Sequence, residues 1–488
     1  MSSGKYTVYP SDSLPRTPSN ASEMEEKGGP VVYERYKRRF WYVAVVVVLN
    51  LSNAMTWICF APISFHTNAY YKMDMAATLF NVIFMVASIP FGFLSVFFVD
   101  RYGLRGGCYA GAVLNLIGNI VRCIASADFV PVNARFGVAF TGQTIAAIAQ
   151  PLIMYLPTKL TGFWFPDSQR VIADVCTTMA NPLGIAAQYL ISPQIITNDT
   201  PNNFLVLTGV TTGTAILAAI MAATVTSSEP PTPASGSKAT RIPSPPFCSS
   251  LGVAFCNFQF MVLAICLGGG VGLFNALYNN LQPALCTKGY SDQYSGYMGA
   301  LLIVSGLGGA VVSGVLADWK KHRTEEIMKI SFCTAAVGAC SLCVAINYPN
   351  NQWWISLSIA MFGFFGFAVY PLGLETGVEI LFPVAEATST GLIMMMGQIQ
   401  GIIYVAATGF ANQKVSAEDL AIQTCASHTS EIGAVADWKI SFIVWTACVF
   451  VLVAACTIFF KPTLNRLKHD QANIALKAES TKNFLEEQ

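Results

Sequence analysis

The chain has 488 residues, of which 53% are apolar and only 11% charged, with a mean hydropathy of +0.51 and a formal net charge of +1. Soluble globular proteins carry about 25% charged residues, so the composition excludes an ordinary soluble domain. The near-neutral balance leaves no single-sign field to recruit nucleic acid or an acidic partner.

Residues 1–38 are rich in Ser, Pro, Gly and charge; without an apolar core or a small-residue cleavage site they read as a disordered cytoplasmic tail, not a signal peptide. Beyond them, apolar runs of about 20 residues alternate with short charged turns, the pattern of a multi-spanning membrane protein. Twelve helices are predicted, at 40–62, 76–99, 106–126, 132–158, 171–194, 203–226, 251–277, 295–317, 327–347, 352–376, 386–410 and 437–460. A Pro/Ser-rich linker at 227–250 separates an N-terminal six-helix bundle (39–226) from a C-terminal one (251–460), and a charged tail follows from 461 to 488.

Orientation follows from lysine and arginine. The basic cluster at Arg35, Lys37, Arg38 and Arg39 favours a cytoplasmic N-terminus. The same side then receives Arg101, Arg105, Lys159, Arg170, Lys320, Lys321 and Arg323, whereas the other loops carry little beyond Lys72, Lys288 and Lys414. Both termini are expected in the cytosol, and the plasma membrane is the default location. On the outer side the sequon at Asn198 is a candidate glycosylation site. Cys286 and Cys425 fall in outer loops, where they either pair or remain two free thiols.

The halves repeat one another. Asp100-Arg101-Tyr102-Gly103-Leu104-Arg105 is echoed by Asp318-Trp319-Lys320-Lys321-His322-Arg323. Phe165-Pro166 aligns with Phe382-Pro383, which sets Asn181 opposite Gln398 and Gly184 opposite Gly401. Duplicated halves of this kind hold a substrate near the bilayer midplane, at their interface.

Polar side chains inside such helices are costly unless paired or facing a wet cavity. Asn50, Asn53 and Trp57 share one helix face; Gln143 and Gln150 stand one heptad apart near Pro151 and Pro157; Asn181, Asn275, Gln398 and Gln400 complete the set, with Phe274 and Tyr278 beside Asn275. Amides with aromatics suggest a site for a small polar ligand, and each amide has the alternative of serving as interhelical glue. No acid falls at a helix centre, which favours a facilitator over a proton-coupled porter. Asp100, Arg101, Arg105, Asp318, Arg323, Glu375 and Glu379, with Gly103 in the turn, are expected to latch the cytoplasmic ends of the halves together in one state of alternating access. His66, His322, His428 and His469 all fall in predicted loops or tails, so no axial haem ligand is expected in the path. No nucleophile with its base, P-loop, dinucleotide turn, metal site or cofactor site is expected, and the chain does not read as an enzyme.

The charged turn and its echo resemble the signature of the major facilitator superfamily; the glycine four residues before the aspartate is present as Gly314 and replaced by Val96 in the first copy. Within that superfamily, Asn53–Trp57, Ala149–Leu160, Trp164–Pro166, Tyr370–Glu379 and Gly397–Ile402 resemble the feline leukaemia virus subgroup C receptor-related transporters, solute carrier family 49. Met179–Gly184, Ala264–Gly269 and Ala284–Cys286 narrow the likeness to one member. The resemblance implies an all-α twelve-helix fold and transport of choline and ethanolamine, or of haem. It also implies a cation cage on Trp57, Gln150 and Gln398, with Asn275 where the family has a tyrosine.

Three functions are carried forward: a transporter of a small organic solute, a haem or tetrapyrrole carrier, and a non-transporting receptor or scaffold. The scaffold would show Asn275, Gln150 and Gln398 bonded to one another in a closed core. The partners implied are a small-molecule substrate and the lipid bilayer, with no obligate protein partner.

Overall fold

An apolar backbone in hydrocarbon has to close its hydrogen bonds internally, which for a single continuous segment means a helix. The computed structural model, which describes residues 36–197, 200, 202–232, 247–319, 323–384, 386–414 and 436–462, is built this way. In chain order the elements are α1 (Arg38–Ile58), a 3-10 turn (Ala61–Ile63), α2 (Ser64–Tyr71), α3 (Ala76–Ala125), α4 (Val132–Met154), α5 (Leu156–Trp164), α6 (Asp167–Thr178) and α7 (Ala180–Ile195). They continue with α8 (Phe204–Ala223), α9 (Phe247–Cys256), α10 (Phe258–Cys286), α11 (Asp292–Trp319), α12 (Thr324–Ala345), α13 (Gln352–Leu381), α14 (Glu386–Phe410) and α15 (Lys439–Phe459). A two-residue antiparallel pair, β1 (Gln413–Lys414) with β2 (Ala436–Asp437), precedes α15.

Among the described residues 10 helical spans are long and apolar enough to cross a membrane. One of them, α3, has 50 residues; at about 1.5 Å per residue it is more than twice the hydrocarbon thickness, and it breaks at Gly103 into two crossings. The interrupted pair α6–α7 supplies a further segment. The arrangement is consistent with the twelve expected helices.

Where boundaries depart from the expected ones, a local cause is present. Pro62 ends α1 early and starts the 3-10 turn, so His66 lies in a short helix and not in a loop. Pro157 has no N–H to close on the Ile153 carbonyl, and the predicted fourth helix divides at Tyr155 into α4 and α5. Pro182 likewise cannot bond to Thr178, and α6 gives way to α7 at Met179. Asn257 caps α10 by accepting from the Phe260 N–H at 3.1 Å; α10 therefore starts later than 251 and runs past 277 to Cys286. Gly103 adopts φ 69, ψ −169, and a Cβ there would sit 2.5 Å from Ser228 Oγ. Only glycine meets both demands.

The two halves are built alike. In the first, α7 packs on α1; in the second, α14 packs on α10. Gly184 makes the first approach possible, against the Leu51 carbonyl, and Gly401 the second, against Gly272 and Asn275, so the residues aligned in sequence do the same work. Gly268 and Gly272 also meet Gly397 and Gly401 backbone to backbone. The halves face each other through α7 on α11 and through α14 on α3.

The Gly272 contact yields a prediction. A Cβ at Gly272 would lie 2.7 Å from the Gly401 nitrogen, and backbone cannot rotate away as a side chain can. Gly272→Val is expected to cost about 1–3 kcal/mol and to lower the thermal midpoint in detergent, whereas Gly314→Ala, with open space around it, is expected to leave the midpoint unchanged.

Candidate functional site

Between the halves lies a cavity of about 510 Å³. The close approach of α14 to α10 leaves Gln398, between Gly397 and Gly401, turned into this space. The unwinding at Tyr155 and Met179 adds Met154, Tyr155 and Met179 from the other half. The lining runs from Trp57 and Tyr278 to Thr161 of α5, Asp174 of α6 and Glu375 of α13. Those last three lie near the ends of their helices on the face that carries Asp100, here called the charged-turn face.

Trp57 is buried, and its indole N–H donates to the Asn81 carbonyl at 3.2 Å, which fixes the ring. Tyr278 of the other half meets Trp57 edge to face, with centroids 6.5 Å apart and planes at 89°. Phe274 follows at 6.2 Å from Tyr278 and packs 4.8 Å from both Phe362 and Phe367. Rings from both halves therefore line one wall.

The amides divide into two groups. The side chains of Asn181, Asn275 and Gln398 line the cavity and make no hydrogen bond among the described residues; the Nδ2 atoms of Asn181 and Asn275 and the Tyr278 hydroxyl are buried without a partner. Gln150 is held at one end only, its Oε1 accepting from Ser88 Oγ at 3.0 Å. Asn275, Gln150 and Gln398 thus do not close on one another. Asn50 reaches the cavity wall but spends its amide on the Val46 and Ile153 carbonyls at 3.0 and 3.4 Å.

Asn53 is a correction. It shares a helix face with Trp57 in sequence, yet it is fully buried away from the cavity and donates to Asn115 Oδ1 and the Ala146 carbonyl, both at 3.1 Å. It belongs to a ladder between α1 and α3 in which Asn115 donates to Ser52 Oγ and Asn119 to Thr56 Oγ1, ending at Arg122. Arg122 is fully buried, donates to Asn119 Oδ1 at 3.0 Å and lies 5.0 Å from the Phe60 ring. Gln143 and Gln400 are glue as well, donating to the Phe80 and Ile265 carbonyls at 3.0 and 3.1 Å.

Asp100 and Arg105, expected to latch the halves in one state of alternating access, make their contacts within the first half in the conformation described. Asp100 pairs with Lys159, and Arg105 reaches the Thr226 carbonyl at 3.3 Å while its N–H donates to Ser228 Oγ at 3.1 Å. These contacts brace the first half internally and do not cross to the second. Arg101 lies 5.9 Å from the Tyr102 ring, and Arg323 pairs with Glu326 at 3.5 Å. Asp174, accepting from Thr161 Oγ1 at 3.3 Å, and Glu375 both line the cavity. Glu379 stands one turn beyond Glu375, outside the lining. The Asp318 side chain, Asn198 and Cys425 lie outside the described residues; Cys286 is disulfide-bonded. The chain does contain one CxxC, Cys340 to Cys343 on α12, which the expectation of no metal spacing passed over; among the described residues no group of ligands assembles around it.

Three contacts join the halves on the face opposite the charged turn, and sequence reading missed all of them. Asn81 Nδ2 donates to Asn279 Oδ1 at 2.8 Å, the Tyr189 hydroxyl donates to the Tyr278 carbonyl, and His66 Nε2 lies 3.3 Å from Asp292 Oδ2. Asn115, Asn119 and Arg122 were readable as one polar face at i, i+4 and i+7, but His66 and Asp292 meet only in the fold.

Comparison with known proteins gives concordant results. The family model described as Major Facilitator Superfamily matches residues 41–405. A Xenopus tropicalis protein named Solute carrier family 49 member A3 is 33% identical over 459 residues, 92% of each chain. A Rattus norvegicus protein named choline/ethanolamine transporter FLVCR2 is 27% identical over 384 residues, 76% of this chain and 69% of its own. Among solved structures, a D-xylose-proton symporter superposes with a TM-score of 0.65 at 15% identity, covering 87% of this chain and 98% of its own.

The division of the amides predicts a contrast. Asn53→Ala leaves buried partners of Asn53 unpaired and is expected to cost about 1–3 kcal/mol. Asn275→Ala removes no protein hydrogen bond and is expected to stay within about 0.5 kcal/mol of the parent. Thermal unfolding of the two variants side by side measures the difference.

Proposed function

The chain belongs to the major facilitator superfamily and, within it, to solute carrier family 49, and from that premise we propose that it carries a small organic cation or zwitterion of the choline and ethanolamine kind through the cavity between its halves. The observation that carries this is the coincidence, in one cavity, of aromatic rings from both halves with amides that the protein leaves free. Ring faces attract a quaternary ammonium through their quadrupole and need no carboxylate in contact with it.

In this reading Trp57, Tyr278 and Phe274 hold the cationic group, and Gln150, Gln398, Asn181 and Asn275 orient a hydroxyl or amine. Asn275 replaces one ring of the family's cage, and Tyr278 on the next turn supplies the ring. The charged-turn face is taken as cytoplasmic, in line with the lysine and arginine bias, with the plasma membrane as the location. Solute would then exchange with the cytosol in the conformation described, and the halves would rock to open the opposite face.

The alternatives draw less support. No imidazole appears among the described lining residues, so a haem path would lack its commonest ligand. A static scaffold is expected to fill its core, whereas here the amides named for that test stay apart around open space.

Uptake of labelled choline and ethanolamine into proteoliposomes tests the proposal. Saturable uptake is expected, with Trp57→Ala and Gln398→Ala each lowering kcat/KM by about tenfold or more. Absence of uptake by correctly folded protein would refute the choline reading and direct the search to uncharged solutes.

A further inference from the structure

The contact between His66 and Asp292 does work that transport of a neutral-pH cation does not require. His66 is 3% exposed and Asp292 7%; one belongs to the first half and the other to the second. Nε2 and Oδ2 are 3.3 Å apart without hydrogen-bond geometry, and neither ring nitrogen has a hydrogen-bond partner. Asp292 stands at the start of α11 and accepts from Gln282 Nε2 at 2.6 Å. A carboxylate is thus buried at the seam between the moving halves, with one amide donor and one imidazole facing it.

We propose that His66 and Asp292 form a proton-binding site whose charge state sets how firmly the halves close on this face. With His66 protonated, the pair is an ion pair in a low-dielectric seam and closure is reinforced. Loss of that proton as pH rises leaves the carboxylate buried without a counter-ion, a costly state that opening relieves by admitting water. Closure on this face is therefore firmer with His66 protonated and weaker without that proton. By linkage, closing this face takes up a proton and opening it releases one. The inference rests on alternating access and not on the identity of the solute.

The surroundings leave the response to this pair. On α2 and the turn after it stand Tyr70, Tyr71, Lys72 and Asp74, and at the end of α3 Arg122 and Asp128. Arg135 of α4, Cys59 before the 3-10 turn, Tyr189 of α7, Tyr278 of α10, Lys288, Tyr290 and Tyr294 around the start of α11, and Cys343 and Tyr348 near the end of α12 complete the neighbouring elements. Of the residue types here, histidine is the one whose charge ordinarily changes near neutral pH. His66 is also the one histidine among the described residues.

Hydrogen–deuterium exchange of the full chain in lipid nanodiscs tests this without a ligand. Exchange in peptides covering 59–76 and 280–296 is compared at pH 6 and pH 8 after correction for the intrinsic pH dependence of amide exchange. The wild type is expected to exchange there about tenfold more slowly at pH 6 than at pH 8, and His66→Gln is expected to lose that difference. Equal protection at both pH values in the wild type, or a difference that survives in His66→Gln, would overturn the proposal. Peptides from 104–125 report whether each variant is folded. Should His66→Gln fail to fold, the charge-swapped double variant His66→Asp with Asp292→His decides: a retained difference supports the site, and its loss refutes it.

Discussion

A polar group held in hydrocarbon must find a partner, and in this protein that single constraint sorts the interior. Asn53, Asn115, Asn119, Gln143 and Gln400 each donate to neighbouring side chains or carbonyls, and by doing so they tie helices together. Asn181, Asn275 and Gln398 do not, and all three face the cavity. In the proposed function a ligand supplies the hydrogen bonds that these amides do not find in the protein.

The path exists because the helices around it are held in place by glycine. The pairs Gly268 with Gly397 and Gly272 with Gly401 bring α10 and α14 together at backbone distance, and Gly184 does the same for α7 on α1. A helix fixed so closely on one side has its next residues committed to the other: Gln398 and Asn181 are turned inward because their neighbours pack outward. On the face away from the charged turn the halves are tied by Asn81 with Asn279 and Tyr189 with Tyr278, two neutral contacts, and by the ionisable pair His66 with Asp292. The charged turn itself stabilises the first half by joining Asp100 to Lys159 and Arg105 to the start of the linker.

Much of this was legible in the sequence, for physical reasons that also explain what was not. Hydropathy reports where a chain crosses a membrane, so the crossing segments could be read directly, and the described helices are consistent with the twelve expected. Equal offsets from Phe165 and Phe382 led to Gly184 and Gly401, which serve the same packing role. Trp57, Gln150, Gln398, Asn275 and Asn181, which all line the cavity, stood out as candidates because amides and rings in apolar runs are few. Asn53 was misassigned since a shared helix face says only that residues point together, not which neighbour they meet; α3 was there to receive it. That Asp100 and Arg105 meet Lys159 and Ser228 was not legible for the same reason, because these residues are distant in sequence and adjacent in space. His66 looked like a loop residue until Pro62 was seen to start a new helix, and no pattern along the chain announces that it will meet Asp292.

The measurement that bears most directly on the central claim is equilibrium binding of labelled choline to the purified protein, competed by its uncharged isostere in which a quaternary carbon replaces the nitrogen. The two molecules have nearly the same shape and hydroxyl, and differ in the charge that ring faces recognise. Saturable choline binding that the isostere displaces at least about tenfold less well, and that Trp57→Ala abolishes, is the predicted result. Equal competition by the neutral compound, or choline binding that persists in Trp57→Ala, would contradict a cation site in this cavity.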